Sequence, residues 1–254
     1  MAHKDRSLSV LADGEPFAKD SPFCMSGRLS VGLFPSLFTL QCRNLSESQI
    51  FQLRNTKQLS VLHGDSCLDS GAVSDVFVQT VPEGTVTTAA FSLGLDLWEA
   101  QVSLSVPANT SVSETVRLLL AASGTGISLL SFPGRDGEVA RPQAFCGRAA
   151  ECIETALGKA GARAYLVSSG LCIIPADPLP ATLHLTKSDL TDAPVLADRG
   201  KKLILSTTIT GFQPGEEMTL EADGHFWSGL ILERLVEADT SAGEWKTQLL
   251  VQLR

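Results

Sequence analysis

One tyrosine, three tryptophans and four histidines in 254 residues leave little material for an aromatic sugar groove or a histidine-centred site. No apolar run approaches the roughly 18 residues that a membrane-spanning helix requires, so no membrane insertion is expected despite a mean hydropathy of +0.15. The N-terminus, MAHKDRSLSVLADGEP, lacks the basic stretch and apolar run of a secretory signal. No C-x-x-C occurs, and Cys24, Cys42, Cys67, Cys146, Cys152 and Cys172 read as free thiols in a reducing compartment. Cys146 and Cys152, six residues apart, do not have the ligand spacing of a zinc site.

Positive charge is also short. Lys+Arg 20 against Asp+Glu 28 gives a net charge of −8 and a pI near 5.0, which opposes nucleic-acid binding through counterion release. The imbalance is uneven: residues 1–110 hold seven basic and eleven acidic groups, residues 111–174 six and five, and residues 175–254 seven and twelve. Acid therefore sits in the outer thirds, and the middle is close to neutral.

The motifs of common enzymes are missing. There is no G-x-S-x-G elbow, no phosphate-loop lysine, no H-E-x-x-H and no EF-hand loop. Gly124-Thr125-Gly126 lacks a third glycine and reads as a helix terminus. Asp65-Ser66-Cys67-Leu68-Asp69-Ser70-Gly71 offers two carboxylates where a hard cation wants six to eight oxygens, so a solvated loop is expected. His63, Asp65 and Ser66 are the residue types of a hydrolytic triad but read as a surface cluster between strands. Glu216 and Glu217 are adjacent, and on a strand would face opposite ways, unlike the paired carboxylates of a glycosidase. No catalytic, cofactor-binding or metal-binding residue is assigned, and no enzyme is expected.

What is present is period-two alternation, the mark of strands with one buried face. It runs through Phe38, Leu40 and Cys42; through Trp98, Ala100, Val102, Leu104 and Val106; through Met218, Leu220 and Ala222; and from Trp245 to Leu253. Turns at Gln213-Pro214-Gly215, Asp223-Gly224 and 240–243 predict a four-strand meander over 202–254. The middle differs. Ser111-Val112-Ser113-Glu114 is a capping box opening a helix that stops at Gly124. A second helix is predicted from about Arg148 to Ala160, with Gly161 as its cap, followed by a hairpin of Ala164–Val167 and Leu171–Ile174. Pro175–Arg199, with four prolines, reads as a linker. These segments predict an α+β, β-dominated chain: β-rich flanks around a small α+β insert.

The order of segments over residues 143–254 resembles the bacteriophage tail baseplate hub family of the late-control protein D type. The resemblance runs through Phe145-Cys-Gly147-Arg-Ala-Ala, Leu157-Gly-Lys-Ala-Gly-Ala, the hairpin ending Leu171-Cys-Ile-Ile and a Pro-rich crossing. It continues through Gln213-Pro214-Gly215-Glu-Glu-Met-Thr-Leu, Trp227-Ser-Gly229-Leu-Ile-Leu-Glu-Arg and Trp245-Lys-Thr247-Gln-Leu. Residues 28–63 and 87–106 resemble the family's first barrel more weakly; residues 1–27 have no match. The resemblance implies two tube-like antiparallel β-barrel domains, 1–108 (with 1–27 an extension) and 176–254 (linker included), around an α+β insert at 109–175. It implies a homotrimer forming a pseudo-sixfold ring between a sixfold tail tube and a threefold tail spike, in contact with other baseplate proteins. Genomic DNA would pass the lumen without specific binding. The place would be the virion tail baseplate, assembled in the host bacterial cytoplasm. Hubs of this family often carry an appended wall-digesting domain, for which no room is expected after Arg254. The alternatives are a hexameric distal-tail or tube-initiator protein and a carbohydrate-binding β-sandwich adhesin.

Overall fold

The structure, a computed structural model, describes residues 8–19, 21–64, 66–133, 136–138, 140–175, 177, 179–241 and 243–254. The first third is built by alternation. In β4 (Ser36–Arg43, taken here with β1, Leu8–Ala12, β2, Glu15–Phe17, and β3, Phe23–Ser30) every second residue is buried, and Phe38, Leu40 and Cys42 point inward while Thr39, Gln41 and Arg43 face out. Helix α1 (Glu47–Asn55) follows. Its N-cap Ser46 accepts from the Gln49 N–H, and the Gln49 side chain returns a bond to the Ser46 N–H. β5 (Gln58–His63), β6 (Ser66–Val81) and β7 (Gly84–Leu93) complete the region. Their inward residues, from Val10 and Phe17 to Ala89 and Phe91, form one core.

The middle region follows. Gly94, in the left-handed conformation at φ 83°, opens the short helix α2 (Leu95–Glu99), and β8 (Gln101–Val106) leads to α3 (Val112–Ser123). Trp98 and Ala100 thus do not continue the strand alternation of β8: the Trp98 N–H bonds the Gly94 carbonyl and the Ala100 N–H bonds that of Asp96. At α3 the Ser111 hydroxyl caps the Glu114 N–H as expected, but the Glu114 carboxylate pairs with Arg117 and does not return to close the box. Gly124 ends the helix at φ 69°. Beyond lie β9 (Leu129–Ser131), β10 (Gln143–Arg148), α4 (Ala149–Gly158), β11 (Arg163–Val167) and β12 (Gly170–Ile174). α4 is closed by bonds from Gly161 to Gly158 and from Ala162 to Leu157. A second core unites Leu119, Ile153, Leu157 and Leu171 with Val102 and Val106. Gln101–Val106 therefore packs with the middle region, through its pairing with β10.

The last third holds β13 (Leu183–Thr186), β14 (Val195–Ala197), β15 (Lys202–Thr207), β16 (Glu217–Ala222), β17 (His225–Asp239) and β18 (Glu244–Leu253), around a third core of Leu203, Leu205, Met218, Leu220, Ile231 and Leu249. Two sequence expectations change here. The stretch 175–199 is not only a linker: β13 pairs in parallel with β16, and β14 antiparallel with β15. Residues 202–254 are not a simple meander, because β15 pairs with β18 and not with β16. The Gln213-Pro214-Gly215 segment is a crossing between non-neighbours, anchored by Gly215 N–H to Ile231 O.

One antiparallel-dominated sheet of 13 strands joins the first and last thirds, in the order β14-β15-β18-β17-β3-β4-β7-β6-β5-β1-β2, with β16 and β13 on a branch from β17. The fold is α+β and β-dominated. β17 is the shared element: its first half pairs with β16, its second half with β3, and its other edge runs along β18. The sheet is curled, since a residue of β6, four positions from β17 in the strand order, meets a β17 side chain in the interior.

Candidate functional surfaces

That interior contact is Arg234 of β17 with Asp69 of β6, both almost fully buried. The guanidinium also donates to the carbonyls of Phe212 (3.2 Å) and Leu68 (3.3 Å). It reaches the interior because of a one-residue irregularity between Ile231 and Glu233. Ile231 faces inward, and unbroken alternation would turn Glu233 inward next; the bulge at Leu232 changes parity, so Arg234, Val236 and Ala238 face in instead. Burial pushes the Asp69 carboxyl up to about 6, although Arg234 pulls it down. The pair ties the first third to the last.

Asp69 also overturns the solvated loop expected at 65–71. Cys67–Gly71 is not a solvated loop but strand, paired with β5, and its carboxylate is engaged inside; Asp65 lies outside the described residues. Of the three triad residue types, Asp65 and the Ser66 side chain lie outside what the structure describes. His63, at the end of β5, has its ring 5.2 Å from that of Trp245 and its Nδ1 3.2 Å from the Thr210 hydroxyl. Glu216 accepts from the Gln213 N–H at 2.8 Å, and Glu217 pairs with Arg254. Burial raises both carboxyls. Both act as turn and strand-end fasteners.

The six cysteines are free thiols. Cys42, deep in the first core, is pushed up to about 12 by burial. No metal-holding group of His, Cys, Asp or Glu occurs among the described residues, and no helix of the described residues is long and apolar enough to cross a membrane.

What the surface does offer is a groove and open strand edges. A cavity of about 760 Å³ lies on the outward side of β4, β3, β17 and β18, walled by Thr191 and Asp192. Asp192, Glu237 and Asp239 make it acidic; its lysine, Lys246, is engaged by Asp192 at 3.3 Å. A second patch sits where the β3–β4 connection meets the middle region: exposed Phe34 rests 4.8 Å from Trp98, and the Arg148 guanidinium lies 5.0 Å over the indole. Gly32 and Leu33 anchor that connection by donating to Ala164 O (2.7 Å) and the Glu154 carboxylate (3.0 Å). Sequence reasoning missed Arg234, since a lone arginine in an apolar strand carries no sign of its bulge.

No protein-family model matches the chain, and no curated protein sequence matches it. Solved structures do match. The tail protein from Neisseria meningitidis MC58 superposes with a TM-score of 0.75 at 10% identity, over 97% of this chain and 96% of that one. The 43 kDa tail protein of prophage MuSo2 from Shewanella oneidensis gives 0.70 at 12% identity, over 96% and 97%. An E. coli type VI secretion component, described as structurally similar to bacteriophage T4 tail proteins, gives 0.62 at 10% identity, over 98% of this chain and 77% of that one. At such identities the likeness is one of fold, and it spans the chain.

Proposed function

We propose that the chain is a structural component of a phage or phage-like contractile tail, and specifically the baseplate hub. The observation that carries the reading is the whole-length fold likeness to two tail proteins at TM-scores of 0.75 and 0.70, in a chain whose first and last thirds are joined in one sheet through β17. Two similar halves per chain are what a threefold ring needs to present six roughly equivalent positions to a sixfold tube. The first and last thirds would serve as the two tube-like units and the middle region as a peripheral support. Three chains would close head to tail by heterologous contacts, with tube protein on one side, the spike on the other and further baseplate proteins around them. The location would be the virion tail baseplate, after assembly in the bacterial cytoplasm.

The role is geometric and needs no catalytic centre. Acidic outer thirds around a neutral middle suit a lumen through which a polyanion must slide without sticking. The test is absolute mass, by light scattering and native mass spectrometry, of the purified chain alone and with a candidate spike protein. Three copies of the 27.0 kDa chain in either condition support the hub. Six copies would replace it with a distal-tail ring, and a monomer under every condition would remove the ring altogether.

A further inference from the structure

In the hairpin of β6 and β7, β7 is lined by β4 as far as Val86, while β6 outruns its own neighbour, β5. β5 covers β6 only through Ala72, and from Ser74 to Val81 the edge of β6 away from β7 has no strand partner among the described residues. The inward face of this arm packs on the first core through Val73 and Val76, and its outward face is open. Phe77 is 55% exposed on the outward face, and its neighbour Val78 is 40% exposed on the opposite one. The sequence there, Val76-Phe-Val-Gln-Thr-Val81, is uncharged, free of proline and rich in β-branched and aromatic residues. Monomeric proteins blunt such edges with proline, lysine or inward charges, because an open apolar edge recruits another strand. The edge strand β2 of this chain is blunted in that way, by Glu15 and Pro16. The β6 arm is not.

A second open edge, three residues long and preceded by Pro194, lies at the other end of the sheet. β14 terminates the strand order, pairs only with β15 among the described residues, and exposes Val195 and Leu196, each at 55%. The charges beside the two edges are opposite. The arm and its tip carry Asp75 and Glu83 and no base, whereas the rim after β14 carries Arg199, Lys201 and Lys202 against Asp198. The edges belong to different surfaces of one chain, so their union is heterologous and propagates from copy to copy.

We propose that the β6 arm of one copy docks on the β14 edge of the next by strand addition, and that this is the contact that builds the assembly. The proposal deepens the ring reading and rests on it. Main-chain hydrogen bonds would supply the register-independent attraction, Phe77 and Val78 against Val195 and Leu196 the apolar cover, and the acidic arm against the basic rim the choice of partner edge.

The experiment places a photoreactive phenylalanine analogue at Phe77 in the full chain. A mixture of isotopically light and heavy copies is irradiated through a concentration series. Expected is an adduct joining light and heavy chains, mapping to the tryptic peptide Ser188–Arg199. Val78→Lys and Leu196→Lys should each keep the far-ultraviolet spectrum and melting temperature and weaken self-association at least tenfold. An assembly whose adducts map elsewhere, or one that Val78→Lys leaves unchanged, overturns the proposed contact and leaves the ring standing. A chain that stays monomeric at every concentration overturns both. Adducts that form only on adding a tube or spike protein, and only to that protein, overturn a second copy as the occupant.

Discussion

Replacing Arg234 by methionine removes the cation and keeps most of the volume, which isolates the charge. Arg234 and Asp69 are 1% and 2% exposed at their side chains, so the remaining carboxylate cannot recover its hydration. Breaking a buried pair by deleting one partner costs about 3–5 kcal/mol. For a chain of this size, at roughly 2–4 °C per kcal/mol, the melting temperature should fall by about 6–20 °C at pH 7.5. Arg234→Met/Asp69→Leu should return most of that loss, because a buried pair replaced by apolar groups is close to neutral or better.

The pH dependence follows from Asp69. Its folded value, raised by burial to about 6, exceeds the unfolded one near 4, so the folded chain holds a proton that the unfolded chain releases between those values. Stability from this group is therefore fully present below the unfolded value and lost as the pH rises through 6. Without Arg234 the carboxyl loses the cation that lowers it, and the window extends upward. The deficit of Arg234→Met should therefore shrink between pH 8 and pH 5, while the double variant shows no such slope. Urea or thermal unfolding of the three proteins across that range is the assay. A single variant within 1 kcal/mol of the parent, or a double variant no better than the single, would refute the account of Arg234 as a charge-dependent tie.

Two further outcomes are expected. Gly215→Ala should lower stability by about 2 kcal/mol or more in chemical denaturation, because φ is +88° and the new methyl would stand 2.7 Å from the Tyr165 ring and 2.8 Å from Ile174. A thiol reagent at pH 8 should label exposed Cys67 and Cys146 in the folded protein while sparing Cys42, whose thiol is buried and pushed up to about 12; peptide mapping before and after unfolding reads this directly, and rapid native labelling of Cys42 would contradict its place in the core.

Local patterns were legible and long-range partners were not. The alternation of Phe38, Leu40 and Cys42, the caps at Ser111 and Gly124, and the hairpin around Ser168–Gly170 are each decided by residues a few positions apart, and each is present. The pairing of β15 with β18, or of β13 with β16, depends on surfaces that meet only after the sheet curls, and nothing in Pro175–Arg199 marks its two short strands. Trp98 shows the limit within one segment: the same spacing suits a strand or a turn of helix, and Gly94 decided for the helix. The groove and the arm come from tertiary arrangement, so their residues looked ordinary in sequence. Asp69 is the sharpest case, a residue read in a solvated loop that lies inside.

The pairing of β3 with β17 has a consequence for synthesis on the ribosome. Thr240 and Phe23, 217 residues apart, are joined through the Thr240 hydroxyl and the Phe23 main chain, and β3 borders β4 on one side and β17 on the other. At about 5–20 residues per second, one flank of β3 waits roughly 10–40 seconds for its partner to emerge. During that interval the nascent first third is an unfinished sheet, and contacts of such long sequence separation are slow to form even once available. Crowded translation, with several nascent chains on one message, would bring unfinished flanks together before their own β17 arrives. Slower growth temperature or a holding chaperone should accordingly raise the soluble yield more than any substitution on the finished surface.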